Sequence, residues 1–305
     1  MIGTPVAANR GRPEITGEPP KGRRRPARRP RRTGSRAGAL TSLFFALVWL
    51  VVVVAPVYYM VTVSLLGTDT FLSDNPWLPR TGLTLDNYVS VARSGFARYL
   101  LNSVLVSAGA TVLAVAVSMF AAYAIVVRAG RWTGLFFRIF LIGFAVPIQA
   151  LVIPLYIEVI LLDLYDSLLG LILPMAAFSL PITVLILVNF LREVPPSLMQ
   201  AMQLDGAGPV RILLSLAVPV SIPAIATVSI FDFITAWNNF LFPLILTQSP
   251  ESATLPLAVF EFQGNRFSDV PAIMACVALS MLPLFALYLV ARRQIRTALA
   301  AGFGS

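Results

Sequence analysis

The chain has 305 residues, of which 57% are hydrophobic and only 12% charged, with a mean hydropathy of +0.81. A water-soluble domain carries about 25% charged residues, so a chain with half that share has too little charge for a water-facing surface and is expected in lipid. Histidine is absent and Cys276 is the only cysteine, which excludes an intrachain disulfide and a thiolate metal site and removes the commonest general base; no cofactor or metal is expected.

The net charge of +9 is concentrated at the front, where eleven of the 23 Lys and Arg residues fall between positions 10 and 36 among Pro and Gly. This arm, 1–38, has no apolar periodicity and is expected to be disordered, cytoplasmic and in contact with anionic lipid. Nucleic-acid binding would need an aromatic or folded reader beside the charges, and none accompanies them. The apolar stretch that follows is too long for the core of a secretory signal.

Six apolar stretches, 39–66, 103–127, 135–162, 168–190, 216–246 and 271–290, reach the roughly 20 helical residues that cross a bilayer. The expected fold class is an all-α integral membrane protein with six transmembrane helices over 39–292 and a cytoplasmic tail, 293–305. Pro147 and Pro154 fall in the third stretch, Pro219 and Pro223 in the fifth. Prolines free backbone carbonyls, which reads either as a kinked helix or as backbone lining a water-filled path. The arm, Arg128, Arg131, Arg138, Arg192, Arg211, Arg292, Arg293 and Arg296 fall on one side of the six spans, and Arg80, Arg93, Arg98 and Arg266 on the other. That split of nineteen against four predicts both termini inside.

Between the fourth and fifth spans, residues 191–215 read as helix, turn, helix. Pro195 and Pro196 stop what precedes, and Ser197 with Gln200 has the spacing of a capping box. Asp205-Gly206-Ala207-Gly208 reads as a turn in which glycine takes positive φ at little cost. Gly208-Pro209 restarts a helix, with proline near its first position and Arg211 upon it. Ala201, Gly206 and Ala207 are small enough for close approach by a partner's backbone. The segment is either a docking knob or an ordinary interfacial loop.

The third and fifth spans also hold the candidate solute path. Asp232, Thr235 and Asn239 stand at helical offsets of three and seven and are expected on one face, as are Gln149 and Tyr156. Together they offer hydrogen-bond partners and an aromatic ring. A carboxylate within a span is functional by default; the alternative is a bond between helices with no solute contact.

The 191–215 segment resembles the coupling motif of binding-protein-dependent ABC importers, E-A-A-x-x-D-G-A followed after a gap by L-P. Here it reads Gln200-Ala201-Met202-Gln203-Leu204-Asp205-Gly206-Ala207, with Pro219 at the last position. Gln200, Met202 and Val218 depart from the pattern. Further strings resemble the sugar-transporting branch of the maltose-type smaller permease subunit, among them Asn75-Pro76-Trp77-Leu78-Pro79, Thr84-Leu85-Asp86-Asn87-Tyr88, Leu101-Asn102-Ser103, Trp237-Asn238-Asn239-Phe240-Leu241 and Thr254-Leu255-Pro256. The resemblance implies an assembly with a second permease subunit, two ATPase subunits and an external solute-binding protein, importing a sugar. The chain itself has no G-x-x-x-x-G-K-[ST] phosphate loop, so ATP hydrolysis is expected in the partners. A polyamine or glycerol phosphate is the alternative solute. A secondary transporter would need ionisable relays, and Asp232 is the one acid deep in a span. A membrane enzyme would need a histidine, a carboxylate cluster or a metal-ligand set.

Overall fold

A computed structural model describes residues 36–79, 81–128, 130–263 and 268–302. Nearly all of the basic arm, Arg80, Arg266 and the last three residues lie outside them. The chain divides into two compact units, Met1–Val52 and Val53–Ser305. The described part of the first is the beginning of helix α1 (Arg36–Ser64). Over residues 40–54 every side chain of α1 is exposed. A helix apolar on all sides suits lipid or a membrane partner.

The second unit continues through α2 (Thr68–Ser73), α3 (Asp86–Arg93), α4 (Phe96–Val127), α5 (Arg131–Phe144), α6 (Val152–Leu161), α7 (Leu168–Glu193), α8 (Pro196–Leu204), α9 (Pro209–Ile212), α10 (Val218–Val220), α11 (Ile222–Trp237), α12 (Leu241–Leu246), α13 (Leu255–Ala258) and α14 (Val270–Gly302). No strand forms among the described residues; Leu66 with Leu83 and Gln263 with Ser268 make isolated bridges.

Helices α1, α4, α7 and α14 are each long and apolar enough to cross a membrane. The third and fifth spans, expected as continuous stretches, are instead broken. Helix α5 stops at Phe144, and a 3-10 turn, Ile148–Leu151, leads into α6. The run Pro209–Val220 meets α11 at 76°. If each bent pair is one span, six result. Proline supplies a cause in the fifth. Pro219 has no N–H to bond back and its ring crowds the carbonyl one turn earlier, and the preceding residues, Leu213–Ala217, open into a π-helical turn. The last span also differs: α14 runs unbroken past position 292 to Gly302, so the tail begins as a continuation of that helix.

Helix α4 is the spine of this unit, packed along α7 and against α11. Three buried clusters follow one another along it. Tyr99 joins Val91, Trp237 and Cys276; Val106, Ala110 and Ala114 join Leu171, Met175 and Phe242; Met119, Ala122 and Tyr123 join Leu187, Leu191, Ile212 and Leu213. In lipid no hydrophobic force drives helices together, so close packing through small residues such as Ala110, Ala114 and Ala122 does that work.

Candidate functional site

In the 191–215 segment α8 is followed by a short turn and then α9, a helical hairpin in which the expected capping box is absent. Helix α8 begins at Pro196, with Pro195 as its N-cap and no side-chain cap bond. Ser197 is therefore the second helical residue and the capping box with Gln200 does not form. Two consecutive prolines fix the helix start one residue ahead of the serine. The helix ends in a Schellman closure: the Ala207 N–H donates to the Met202 carbonyl and the Gly206 N–H to that of Gln203, each at 3.0 Å. Gly206 sits between them at φ +79°, the left-handed conformation that glycine takes without penalty. Gly208 has an ordinary φ of −71° and caps α9, with Pro209 at its first position.

Apolar residues on the inner side anchor the hairpin. Met199, Ile212 and Leu213 are buried in the cluster with Leu191 and Tyr123, and Met202 and Ala207 pack against it. Gln200, Ala201, Asp205, Gly206, Gly208 and Arg211 are all exposed, and Ala207 is half-buried. Sequence reasoning passed over Leu204, which is 90% exposed at the hairpin tip. An apolar residue directly before the Asp-Gly turn, beyond the last anchored position, was the available signal.

The candidate path residues separate. Asp232 is 1% exposed and faces α7, where the buried Thr183 hydroxyl lies 2.9 and 3.1 Å from its two carboxylate oxygens. Thr235, one turn on, is exposed, and its hydroxyl donates to the Phe231 carbonyl at 2.8 Å. Asn239 lies beyond the end of α11, and its Oδ1 accepts the Phe242 N–H at 3.0 Å. The three do not come together: Asp232 turns to Thr183 of α7, and α11 ends at Trp237, before Asn239. Thr235 and Asn239 do meet, with Ser179, Phe178, Phe231 and Phe242, around a cavity of about 160 Å³. That is smaller than the roughly 300 Å³ at the low end for small-molecule pockets. Gln149 is on the 3-10 turn and Tyr156 on α6, so the expected common face is interrupted there. Both are exposed, and the Tyr156 ring stands edge-on to Tyr165 at 5.6 Å.

Residues 114–299 match the sequence model of the family described as the inner membrane component of binding-protein-dependent transport systems. The chain belongs to that family. This permease is 33% identical over 250 residues to the trehalose transport system permease protein SugB of Mycobacterium tuberculosis, covering 81% of the chain and 90% of the relative. It is 30% identical over 265 residues to the trehalose/maltose transport system permease protein MalG of Thermococcus litoralis, covering 84% and 93%. Its fold is similar to that of a chain in a bacterial ABC transporter involved in the import of the acidic polysaccharide alginate, with a TM-score of 0.74 at 18% identity over 85% of this chain and 98% of that one. The permease is thus an inner-membrane transport subunit that works with an ATPase and a substrate-binding protein.

Several of the permease's remaining family-like strings hold loops in place. The Asn102 side-chain amide donates to the carbonyls of Glu251 and Ala253, both at 2.8 Å, and Ser103 Oγ accepts the Leu255 N–H at 2.8 Å. Arg98 pairs with Glu251 at 3.0 Å, and the Tyr99 hydroxyl donates to Glu261 at 2.7 Å. Asn87 donates to the carbonyls of Ser64 and Leu66, closing the end of α1. Asp166, at φ 55°, joins two loops by accepting the Gln248 and Ser249 N–H groups at 3.0 and 3.1 Å. Burial pushes the Asp166 carboxyl up, but those backbone donors outweigh it and hold it below the usual carboxylate value.

Proposed function

We propose that this permease imports a sugar, forming the pore with a second, different permease subunit above two ATPase subunits, and that residues 200–208 with Arg211 seat on one of those ATPases. The names of the relatives, trehalose and maltose permeases, support the solute class. The observation that carries the docking is the hairpin itself: backbone groups closed internally, an apolar underside fixed in the core, and an exposed tip of Gln200, Leu204, Asp205 and Arg211. Movement of the tip is transmitted through Ile212 and Leu213 to α4 and α7. ATP closing its partner at one end and loaded binding protein at the other bias a two-state pore.

The nineteen-to-four split of basic residues supports cytoplasmic N- and C-termini and a cytoplasmic hairpin. The permease domain occupies 39–292, between the basic arm of 1–38 and the tail of 293–305. Within the path, Thr235 and Asn239 with the recess they share are this subunit's contribution, and the exposed Gln149 and Tyr156 are its further candidates. Asp232 ties α11 to α7. One variant tests orientation and docking together: Leu204→Cys, with the buried Cys276→Ser. An impermeant thiol reagent should label it in inside-out vesicles stripped of the ATPase subunits and not in intact cells, and in the assembled transporter a short cross-linker should join it to the ATPase subunit. Labelling in intact cells would overturn the orientation; free labelling of the assembled transporter with no cross-link would overturn the docking.

A further inference from the structure

Behind the hairpin lies a groove of about 370 Å³, walled by Phe120, Ala124 and Val127 of α4 on one side and by Val210 and Leu213 on the other. Its polar members include Arg128 and Tyr123, and the buried Tyr123 hydroxyl has no partner among the described residues. Arg128 is fixed by its backbone: its N–H donates to the Ala124 carbonyl at 3.0 Å, and its carbonyl accepts the Thr133 hydroxyl at 2.8 Å. Its side chain is exposed and pairs with no carboxylate, since the one ion pair among the described residues is Arg98 with Glu251.

Depth in the membrane follows from helix length. At about 1.5 Å per residue the 32 residues of α4 exceed the roughly 30 Å hydrocarbon core, so Arg128, at its end, lies among headgroups. Phe120 lies about 12 Å further in, at the same rise per residue. The groove thus changes from a cation at the headgroup level to apolar walls at the acyl level. A second hollow, of about 790 Å³, adjoins the start of α5 and is lined by Arg131, Trp132 and Arg138. Trp132 is 75% exposed, as tryptophan is in the interfacial belt.

We propose that the groove holds one anionic phospholipid, its phosphate on Arg128 and an acyl chain between α4 and the foot of the hairpin. Basic recesses between membrane helices take anionic headgroups, and the apolar walls explain why the occupant is a lipid and not a free phosphate. The lipid would fill the space between the spine helix and the segment that moves against it, and so stiffen the hairpin's attachment.

The assembled transporter is placed in nanodiscs of phosphatidylcholine with phosphatidylglycerol, then extracted, and retained phosphatidylglycerol is counted by native mass spectrometry. Wild type should keep one molecule through delipidation. Arg128→Gln should lower that retention about tenfold, the loss of one charge-assisted contact, and Arg128→Lys should restore part of it. Ala124→Trp, which fills the groove and leaves the cation, should also displace the lipid, and inorganic phosphate should not. The ATPase subunits should stay bound in every variant, which separates this proposal from the hairpin docking. Equal retention in wild type, Arg128→Gln and Ala124→Trp would overturn the proposal, as would displacement of the lipid by inorganic phosphate.

Discussion

At one end of α4, Met199, Ile212 and Leu213 sink into the core while Gln200, Asp205 and Arg211 stand exposed with no side-chain hydrogen bond among the described residues. At the other end, Asn102, Ser103 and Tyr99 turn their polar groups inward onto residues 251–261. The hairpin is held by apolar burial and backbone closure, which leaves its polar side chains for a partner. The opposite loop is held by polar side chains, which are thereby unavailable to one. Resemblance to a family motif therefore carries different meanings at the two ends: a set of braces at the loop and, on the docking proposed above, a contact surface at the hairpin.

The largest effect should come from breaking the hairpin tip. Gly206→Val places a β-branched residue at φ +79°, where a left-handed conformation costs about 1–2 kcal/mol. A Cβ there meets nothing within 4 Å in this chain, so any steric conflict arises with the partner. The variant should insert normally, yet uptake should fall at least tenfold, with ATPase subunits detached or hydrolysing ATP without transport. Gly206→Asn, which tolerates this conformation, should recover much of the activity. Wild-type uptake and ATPase retention in Gly206→Val would make the hairpin an ordinary loop.

The matching experiment at the loop end is Asn102→Ala. It leaves the carbonyls of Glu251 and Ala253 without their donor, at a cost of about 2 kcal/mol in stability. The purified transporter should melt several degrees lower while still retaining its ATPase subunits. An unchanged melting temperature would mean that the loop is held by packing alone and would erase the contrast between the two ends.

How much of this was legible in the sequence follows the same division. The unbroken spans are visible from length and hydropathy, and the turn at Gly206 from local chemistry, because each depends on neighbours along the chain. Which prolines break a span is not: Pro56, Pro174 and Pro181 sit inside continuous helices, whereas breaks fall beside Pro147 and between Pro219 and Pro223. The outcome depends on what neighbouring helices supply to the freed carbonyls. The loop braces were equally hidden, since Asn102 and its acceptors are about 150 residues apart. The separation of the candidate path residues was hidden for another reason. In a helix apolar on most faces, an offset of three does not say which polar residue meets a neighbour, and Asp232 turned to α7 while Thr235 did not.

A smaller effect is expected at Asp232 itself. Asp232→Asn retains an acceptor for the Thr183 hydroxyl, so the interhelical bond weakens by less than the roughly 0.6 kcal/mol typical of such pairs. Melting should shift by a degree or two, and the KM for solute should stay within about twofold. Asp232→Ala, which removes the bond outright, should lower stability further and still leave KM unchanged. A several-fold rise in KM at unchanged stability would return Asp232 to the solute path.

The smallest effect, and the one that isolates charge, belongs to Asp166. Its folded carboxyl lies below the usual value because the Gln248 and Ser249 N–H groups favour the ionised form despite burial. A depressed acid stabilises the fold above its unfolded pKa and loses that contribution as pH falls through the folded pKa. Asp166→Asn keeps an acceptor and a residue type suited to φ 55°, so only the charge is removed. At neutral pH the variant should be less stable by no more than about 0.3 kcal/mol, because solvent screens a group that is only half-buried. That difference should hold down to about pH 4, near the ordinary aspartate pKa, and then shrink towards zero on further acidification, followed by thermal unfolding of the purified transporter. A difference constant from neutral to acid pH would mean that Asp166 joins its two loops by shape and hydrogen bonding alone, and that the loop end of the permease owes nothing to charge there.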